Sequence, residues 1–266
     1  MRIILAGATG AIGRRLVPQL LAAGHEVTAI CRSEQSAAQA RGAGAEVAIA
    51  DALDAPAVAA AVAQARPDAV INQLTALPKR IDPRHIERDF ELNDRLRGEA
   101  SGILADAARE AGAKRLVAQS IAFMYEPGPP GTLHGEEDPL LRDPPPAFAR
   151  SADAVKTLER TVLGAGGTVL RYGYFYGPGS AVAADGSIVA DLRRRRMPIV
   201  GSGAGVWSFV HVDDAAAATV AALAAPPGLY NIVDDDPAPV AQWLPALAEA
   251  VGAPRPMRVP AFIARL

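Results

Sequence analysis

Short apolar runs alternate with longer amphipathic segments over the first two thirds of the chain. The apolar runs predict buried β-strands at 2–6, 26–31, 45–50, 68–73, 115–119 and 167–171. The alanine-rich segments between and after them predict helices at 11–23, 34–42, 55–65, 85–112 and 151–164. Such alternation is typical of a parallel sheet that is covered by helices on both faces. The pattern therefore predicts an α/β fold with a doubly wound parallel sheet.

The first predicted strand runs directly into three glycines spaced by two residues, and a helix pattern follows at once. Glycine allows a tight turn and a close approach to a ligand, and the free N–H groups at a helix start favour a pyrophosphate. A plain turn is the alternative for a glycine loop, but here the next strand completes the βαβ unit that a dinucleotide site requires. The sequence therefore predicts a Rossmann-type cofactor site. Its loop residues are Gly7, Thr9, Gly10, Ala11, Ile12 and Gly13.

Arg32 follows the second strand, at the position that selects between the two nicotinamide dinucleotides. An acidic side chain there pairs with the adenosine ribose of NAD, whereas an arginine accommodates the 2′-phosphate of NADP. Arg32 therefore favours NADP, with NAD second; the alternative is a solvated arginine that pairs with Glu34. Asp51, after the third strand, is placed near the adenine or is the N-cap of the next helix. We assign Leu53 to the same cofactor site.

From about residue 174 the pattern changes to short strands and two further helices, near 212–225 and 239–251. Pro/Gly-rich loops fill 126–150 and 173–187, and loops of that length in a compact domain are usually functional. We therefore predict a dinucleotide-binding domain at 1–172 and a small substrate-binding lobe at 173–266, interleaved in one compact unit. We expect the lobe over the carboxyl ends of the strands, where ligands of such sheets bind.

Composition excludes several functional classes. The net charge of −2 provides no attractive field for nucleic acid, and no apolar segment is long enough to span a membrane. The apolar start is too short for a secretion signal, and the single cysteine, Cys31, suits a reducing cytoplasm. The four histidines are too scattered for a metal site. The basic run Arg193–Arg196 lies at a helix C-terminus or binds a phosphate-bearing substrate.

Five short motifs occur in the order and spacing of one large enzyme family. They are Gly7–Gly13, Ser120–Tyr125, Leu170–Gly179, Phe209–Asp214 and Leu229–Val233. The chain resembles, over nearly its whole length, the extended short-chain dehydrogenase/reductase family, which includes NAD(P)-dependent sugar epimerases and dehydratases.

The resemblance implies several roles. The turn Tyr176-Gly177-Pro178 would flank the nicotinamide and the substrate, and Tyr172 would contact the cofactor. The segment His211–Asp214 would open a helix of the smaller lobe and be structural rather than catalytic. The resemblance also implies a homodimer that pairs the helices near 85–112 and 151–164.

The chain departs from this family at the residue that normally transfers the proton. Members that move hydride carry Tyr-x-x-x-Lys on the helix after the long loop, with a nearby serine, and the tyrosine acts as acid or base at the substrate oxygen. Lys156 has the place of the lysine, but Ala152 stands four residues earlier. Ser120 is retained, yet counting back from Tyr125 puts Ile121 at the usual serine position. We therefore predict that the standard proton relay is absent.

Other groups in the active-site loops are the remaining candidates for an acid or base. These are Tyr125, His134, Tyr174 and Tyr176, each of which would otherwise form only the wall of the site. Tyr174 stands where the family pattern often has an asparagine that faces the substrate. His134 lies in a loop that is either a mobile lid or a solvated surface. We assign catalysis to Lys156, Ser120, Tyr174 and Tyr125, and we also expect Lys156 to bind the cofactor ribose.

The leading hypothesis is an NADP-dependent oxidoreductase with an atypical active site. Its substrate would be a small organic or sugar-like carbonyl or alcohol, and a reaction that needs little help from a protein acid would proceed without the tyrosine. One alternative is a redox-neutral, NAD(P)-dependent epimerase or dehydratase. The other is an NADP-binding sensor or partner-binding protein without turnover, because one fold supports many functions.

Overall fold

The computed structural model describes residues 1–78, 82, 84–129 and 131–262. Its strands are β1 (Arg2–Ala6), β2 (Glu26–Cys31), β3 (Glu46–Ile49), β4 (Ala69–Asn72), β5 (Arg115–Ile121), β6 (Thr168–Tyr172), β7 (Tyr174–Tyr176), β8 (Ile199–Val200), β9 (Val206–Trp207), β10 (Phe209–His211), β11 (Leu229–Ile232), β12 (Ala238–Pro239) and β13 (Arg258–Val259). Its helices are α1 (Gly13–Ala22), α2 (Glu34–Gly42), α3 (Ala55–Ala65), α4 (Ile86–Glu110), α5 (Ala149–Gly164), α6 (Ser187–Arg193), α7 (Val212–Ala222) and α8 (Val240–Ala250).

Within the described residues, seven parallel strands form the central sheet, in the order β3-β2-β1-β4-β5-β6-β11. The chain moves outward from β1 to β2 and β3, and then crosses to β4 on the other side of β1. The strand order therefore reverses between β1 and β4, and open α/β sheets bind ligands in the crevice at such a reversal. The glycine loop follows β1 and lies at this crevice. The predicted doubly wound α/β fold is confirmed.

Both faces of the sheet are covered, which explains the continuous apolar run of β1 from Ile3 to Ala6. In β1, Ile3 and Leu5 enter the core that contains Leu16 of α1. Ile4 and Ala6 enter the opposite core, which α3, α4 and α5 complete. Side chains of a strand alternate between faces, so a strand with two buried faces can be apolar at consecutive positions.

The smaller lobe has a core of its own, which contains Leu192, Ile199 and Leu244 from α6, β8 and α8. The chain nevertheless returns to the large sheet after residue 172, because β11 pairs with β6. Helix α7 packs on α1, where Asp213 lies 3.3 Å from the Arg15 guanidinium. The two lobes are thus interleaved along the chain.

The predicted loop at 173–187 contains a strand that the sequence pattern missed. Strand β7 spans three residues and pairs in parallel with β10, so it is too short to give a periodic signal. Helix α6 begins at the end of this segment, and the basic run follows it, with Arg194 as C-cap and Arg195 at a positive φ of 57°. The helix-end interpretation of Arg193–Arg196 is therefore confirmed. Among the described helices, none is both long and apolar enough to cross a membrane.

Candidate active site

The loop between β1 and α1 has a shape that only glycine permits at two positions. Gly7 has a φ of +95°, and a Cβ there would lie 2.4 Å from the Gln73 carbonyl oxygen. A Cβ at Gly13 would lie 2.2 Å from the Gly7 carbonyl oxygen. Gly10 differs, because its Cβ would meet only the Gly7 oxygen, at 3.4 Å. Gly10 therefore keeps the open side of the loop accessible rather than relieving a clash.

Helix α1 offers its N-terminal N–H groups to this open side. No side chain caps the helix, whose N-cap position is occupied by Ile12. Uncapped N–H groups and the positive end of the helix dipole together form an anion site. The loop and the helix start therefore fit the diphosphate of a dinucleotide.

A cleft of about 360 Å³ lies between the glycine loop and the turn after β7. Thr9 and Ala11 line one side, and Pro178 and Gly179 line the other. Arg14 and Arg15 also line it, which the sequence analysis missed although both follow the third glycine directly. The Arg14 Nε donates to the Thr9 carbonyl oxygen at 2.8 Å, which holds this guanidinium against the loop. The cleft therefore presents positive charge where a diphosphate would lie.

The expected adenosine end of the site contains Arg32, which is exposed directly after β2. Within the described chain Arg32 has no ion-pair partner, because Glu34 lies 3.2 Å from Arg41 instead. The alternative in which Arg32 pairs with Glu34 is therefore wrong.

Asp51 and Leu53 form a turn at the end of β3. The Asp51 Oδ1 accepts from the Leu53 N–H at 2.9 Å. The N-cap of α3 is Asp54, whose Oδ1 accepts from the Ala57 N–H at 3.1 Å. Asp51 is thus not the N-cap, and its placement near the adenine stays a prediction.

Helix α5 carries Ala152 and Lys156 beside the ends of β5 and β6. Ala152 is only 1% exposed, so the position four residues before the lysine is filled by packed protein. Lys156 is half-buried, and its ammonium group has no hydrogen bond or ion pair with the described residues. The ammonium group is therefore available to a ligand.

Ser120 and Tyr125 belong to one polar network. The Ser120 hydroxyl donates to Glu159 at 2.6 Å, and the residue is fully buried. The Tyr125 hydroxyl donates to Asn231 at 2.6 Å and accepts from the Arg171 Nη1 at 2.8 Å. Burial alone would lower the pKa of Arg171, but its bonds to Glu159 and Tyr125 outweigh burial and raise it. Neither hydroxyl is free to meet a substrate in this arrangement, and their catalytic assignment stays an untested prediction.

The same network holds the long loop at 126–150. The Glu136 carboxylate accepts from the Asn231 N–H at 2.8 Å, and the His134 ring stacks on Tyr125 with centroids 5.0 Å apart. The His134 Nδ1 also lies 3.3 Å from an Asp138 carboxylate oxygen. These contacts anchor this part of the loop to β11 and to Tyr125.

A second buried cation, Arg97 of α4, was missed by the sequence analysis. It is 5% exposed, and its Nε and Nη1 meet no acceptor among the described residues. Burial lowers the pKa of Arg97 to about 10, and the carboxylates of Asp94 and Glu159 oppose that change. Ser151 donates to one Asp94 oxygen at 2.9 Å, which joins α5 to the cluster. A charged residue on an amphipathic helix normally indicates a solvated face, so this burial leaves no signal in the sequence pattern.

The three tyrosines after β6 lie in different environments. Tyr172 is fully buried, and burial raises its pKa to about 12 while hydrogen bonds to Thr219 and Gln73 oppose the rise. Its hydroxyl bonds to Thr219 of α7, and the contact of Tyr172 with the cofactor stays a prediction. The Tyr174 hydroxyl has no hydrogen-bond partner among the described residues, and burial raises its pKa. For Tyr176, burial and a nearby carboxylate, Asp234, raise the pKa.

The motif at His211–Asp214 has the structural role that the resemblance implies. His211 is the N-cap of α7, and its Nδ1 accepts from the Asp213 N–H at 3.3 Å. A Cβ at Gly177 would lie 2.3 Å from the His211 Nε2. His211 thus fixes the start of α7 and packs against the turn after β7.

Comparison with known proteins identifies the group to which this arrangement belongs. The model of the NAD dependent epimerase/dehydratase family matches residues 3–232. The chain belongs to this family. A relative from Streptomyces sp, 3-diazoavenalumate denitrifying reductase, is 47% identical over 99% of this chain and 86% of its own length.

Solved structures agree on the fold. The UDP-glucose 4-epimerase of Thermus thermophilus in complex with NAD is 27% identical, with a TM-score of 0.73 over 98% of this chain and 86% of that one. The dTDP-glucose 4,6-dehydratase of Bacillus anthracis in complex with NAD is 15% identical, with a TM-score of 0.77 over 98% and 84% of the two chains. Membership of the family makes this protein an NAD(P)-dependent enzyme of the oxidoreductase or epimerase/dehydratase type.

Proposed function

We propose that this protein is an NADPH-dependent reductase whose acceptor needs no proton from the tyrosine position of the family. The observation that carries the proposal is Ala152, which lies four residues before Lys156 and is 1% exposed. Alanine transfers no proton, and the buried Ser120 hydroxyl is already bonded to Glu159. An acceptor that becomes stable once it has received hydride fits such a site better than a carbonyl, whose alkoxide product requires an acid.

The glycine loop supports the cofactor part of the proposal, because its Cβ-free surface and uncapped helix start suit a diphosphate. Arg32 would bind the 2′-phosphate, Asp51 and Leu53 would contact the adenine, and Lys156 would donate to the nicotinamide ribose. The bound cofactor supplies the hydride. The role of the chain is to orient the nicotinamide and the acceptor and to exclude water.

The name of the Streptomyces relative suggests the class of acceptor. That relative is a denitrifying reductase of a diazo compound. We propose a diazo substrate for this chain as well. The substrate reacts as a cationic arenediazonium: hydride arrives with two electrons, the C–N bond breaks, a C–H bond forms, and N2 leaves. The positive charge of the diazonium is neutralised by the hydride, so no proton from the protein is consumed.

A turnover assay with three arms tests the proposal. Purified protein is mixed with NADPH and 4-carboxybenzenediazonium, and both NADPH oxidation and benzoate formation are followed against a reaction without protein. We expect protein-dependent benzoate formation that matches NADPH consumption. A reaction with NAD⁺ and UDP-glucose tests the epimerase alternative, which would convert the sugar without net change in the cofactor. Cofactor binding without conversion of the diazonium or of the sugar nucleotide would overturn the reductase and favour a non-catalytic NADP-binding protein.

A further inference from the structure

A line of stacked aromatic rings extends from the surface into the smaller lobe. The ring centroids of Phe123 and Tyr174 lie 4.3 Å apart at an interplanar angle of 11°. Tyr174 stacks in turn on Trp207, at 3.9 Å and 20°. Trp207 contacts Trp243 at 4.9 Å in a tilted arrangement. We call these four residues the aromatic stack.

The aromatic stack begins at the ligand-binding edge of the sheet. Ile121 of β5 and Tyr172 of β6 are register partners at the carboxyl ends of their strands. Phe123 and Tyr174 each lie two residues beyond these partners. Ligands of open α/β sheets bind outside the carboxyl ends of the strands, so both rings stand where a substrate would lie.

The outer end of the aromatic stack is exposed and the inner end is fixed. Phe123 is 47% exposed although one ring face lies on Tyr174. Trp243 is only 9% exposed and packs in the core of the smaller lobe. An exposed phenyl face is unfavourable in water, and a planar ligand that covers it would gain both apolar burial and ring stacking. Rings that are already packed lose little conformational freedom when the ligand binds.

The polar groups of the aromatic stack suit a flat ligand with few hydrogen bonds. The four side chains carry one hydroxyl and two indole N–H groups, of which that of Trp243 is buried, whereas a pyranose carries hydroxyls around its whole edge that would need partners. The Tyr174 ring lies between Phe123 and Trp207, so its hydroxyl is out of reach of a ligand that lies flat on the far face of Phe123. The uncovered ring face of Phe123 is therefore the surface that a flat apolar ligand would use.

We infer that the aromatic stack is the substrate platform and that it takes a planar conjugated or aromatic substrate, which lies on the open face of Phe123. This inference rests on the proposed reductase function and specifies its substrate class. The substrate would lie on an aromatic surface, and this distinguishes the protein from an enzyme that binds a sugar nucleotide.

Binding to NADP⁺-saturated protein tests the inference by calorimetry. The two probes are 4-hydroxycinnamate, which is planar and conjugated, and 3-(4-hydroxycyclohexyl)propanoate, which carries the same polar groups on a puckered ring. We expect the planar probe to bind at least about fivefold more tightly, as ring stacking would give. Both tryptophans of the chain belong to the aromatic stack, so their fluorescence should change with the planar probe.

Three variants locate the site. Phe123→Leu should weaken the planar probe about fivefold to tenfold and leave NADP⁺ affinity unchanged. Tyr174→Phe keeps the stacked ring behind Phe123, so its affinity for the planar probe should stay close to that of the unmodified protein. Phe262→Leu is the matched control, because this ring is 69% exposed and lies outside the aromatic stack.

Two results would overturn the inference. These are equal affinity for the two probes, or no effect of Phe123→Leu in protein that binds NADP⁺ normally. Failure to bind either NADP⁺ or NAD⁺ would instead overturn the proposed reductase function, so the two failures are distinguishable.

Discussion

Arg171 and Glu159 form a two-point ion pair inside the fold, with Nε and Nη2 at 2.8 and 2.6 Å from the two carboxylate oxygens. Both residues are about 5% exposed. The pair also holds Ser120, which donates to the Glu159 carboxylate, and Tyr125, which accepts from Arg171. It therefore joins α5, β5 and β6 just below the edge where the cofactor would bind.

Removal of one partner of this pair should strongly destabilise the protein. We expect Glu159→Ala to lower the free energy of unfolding by about 3–5 kcal/mol, because it leaves the Arg171 guanidinium buried without its carboxylate. Urea denaturation measures the change. The control is Glu99→Ala, which breaks an exposed pair with Arg95 at 2.9 Å and should cost less than about 1 kcal/mol. Equal effects of the two variants would show that the buried pair has no special role.

In the first loop, Gly13 should be required for folding and Gly10 for cofactor binding. We expect Gly13→Ala to destabilise the protein by about 1–3 kcal/mol, because its Cβ would lie 2.2 Å from a carbonyl oxygen. Gly10→Ala meets no such contact, so its melting temperature should stay close to that of the unmodified protein. Its NADP⁺ affinity should fall about tenfold or more, because the added methyl group enters the space of the diphosphate. Calorimetry and thermal unfolding together measure both effects, and a normal affinity in Gly10→Ala would contradict the cofactor cradle.

The sequence predicted those features that depend on local pattern. The apolar run of β1, the glycines after it and the start of α7 at the His211–Asp214 motif each require only neighbouring residues. The partners of Ser120 could not be predicted, since Glu159 is 39 positions away and looks like a surface residue of an amphipathic helix. The burial of Tyr172 beneath α7 likewise depends on Thr219, which is 47 positions distant. Motifs therefore predict where the site lies, while the packing decides which of the predicted side chains stay accessible.

Arg32 should control the choice between NADP and NAD. We expect Arg32→Asp to lower NADP⁺ affinity about tenfold or more, because a charge-assisted bond to the 2′-phosphate is replaced by repulsion. Its NAD⁺ affinity should be maintained or increased. Arg41→Asp is the matched control on the next helix, since Arg41 pairs with Glu34. Calorimetric titration with both cofactors measures the ratio, and tight NAD⁺ binding by the unmodified protein would remove Arg32 from the selector role.

Lys156 should contribute to cofactor binding and little to folding. The variant Lys156→Met keeps the length of the side chain and removes its charge, and Lys156 has no hydrogen bond or ion pair with the described residues. We therefore expect an unchanged melting temperature and about a tenfold loss of NADP⁺ affinity, as for a lost hydrogen bond to a charged donor. Lys114→Met, in the loop before β5, is the control and should leave the affinity unchanged. Parallel losses in stability and affinity would contradict a direct contact with the cofactor.

The burial of Tyr172 should make stability depend on pH in the alkaline range. Its pKa is raised from 10.0 in the unfolded chain to about 12 in the folded protein, so the folded state retains a proton that the unfolded chain releases. The resulting contribution to the free energy of unfolding is fully present below pH 10 and is lost as the pH rises through 12. Two pKa units correspond to about 2–3 kcal/mol. We expect Tyr172→Phe to be less stable at neutral pH, through the lost bond to Thr219, but to lose less stability between pH 9 and 11.5. The control is Tyr230→Phe, which removes a hydroxyl at the protein surface and should keep the full pH dependence of stability. Urea denaturation between pH 9 and 11.5 measures the free energy of unfolding of all three proteins. An identical change with pH in all three would show that Tyr172 is not the source of the dependence.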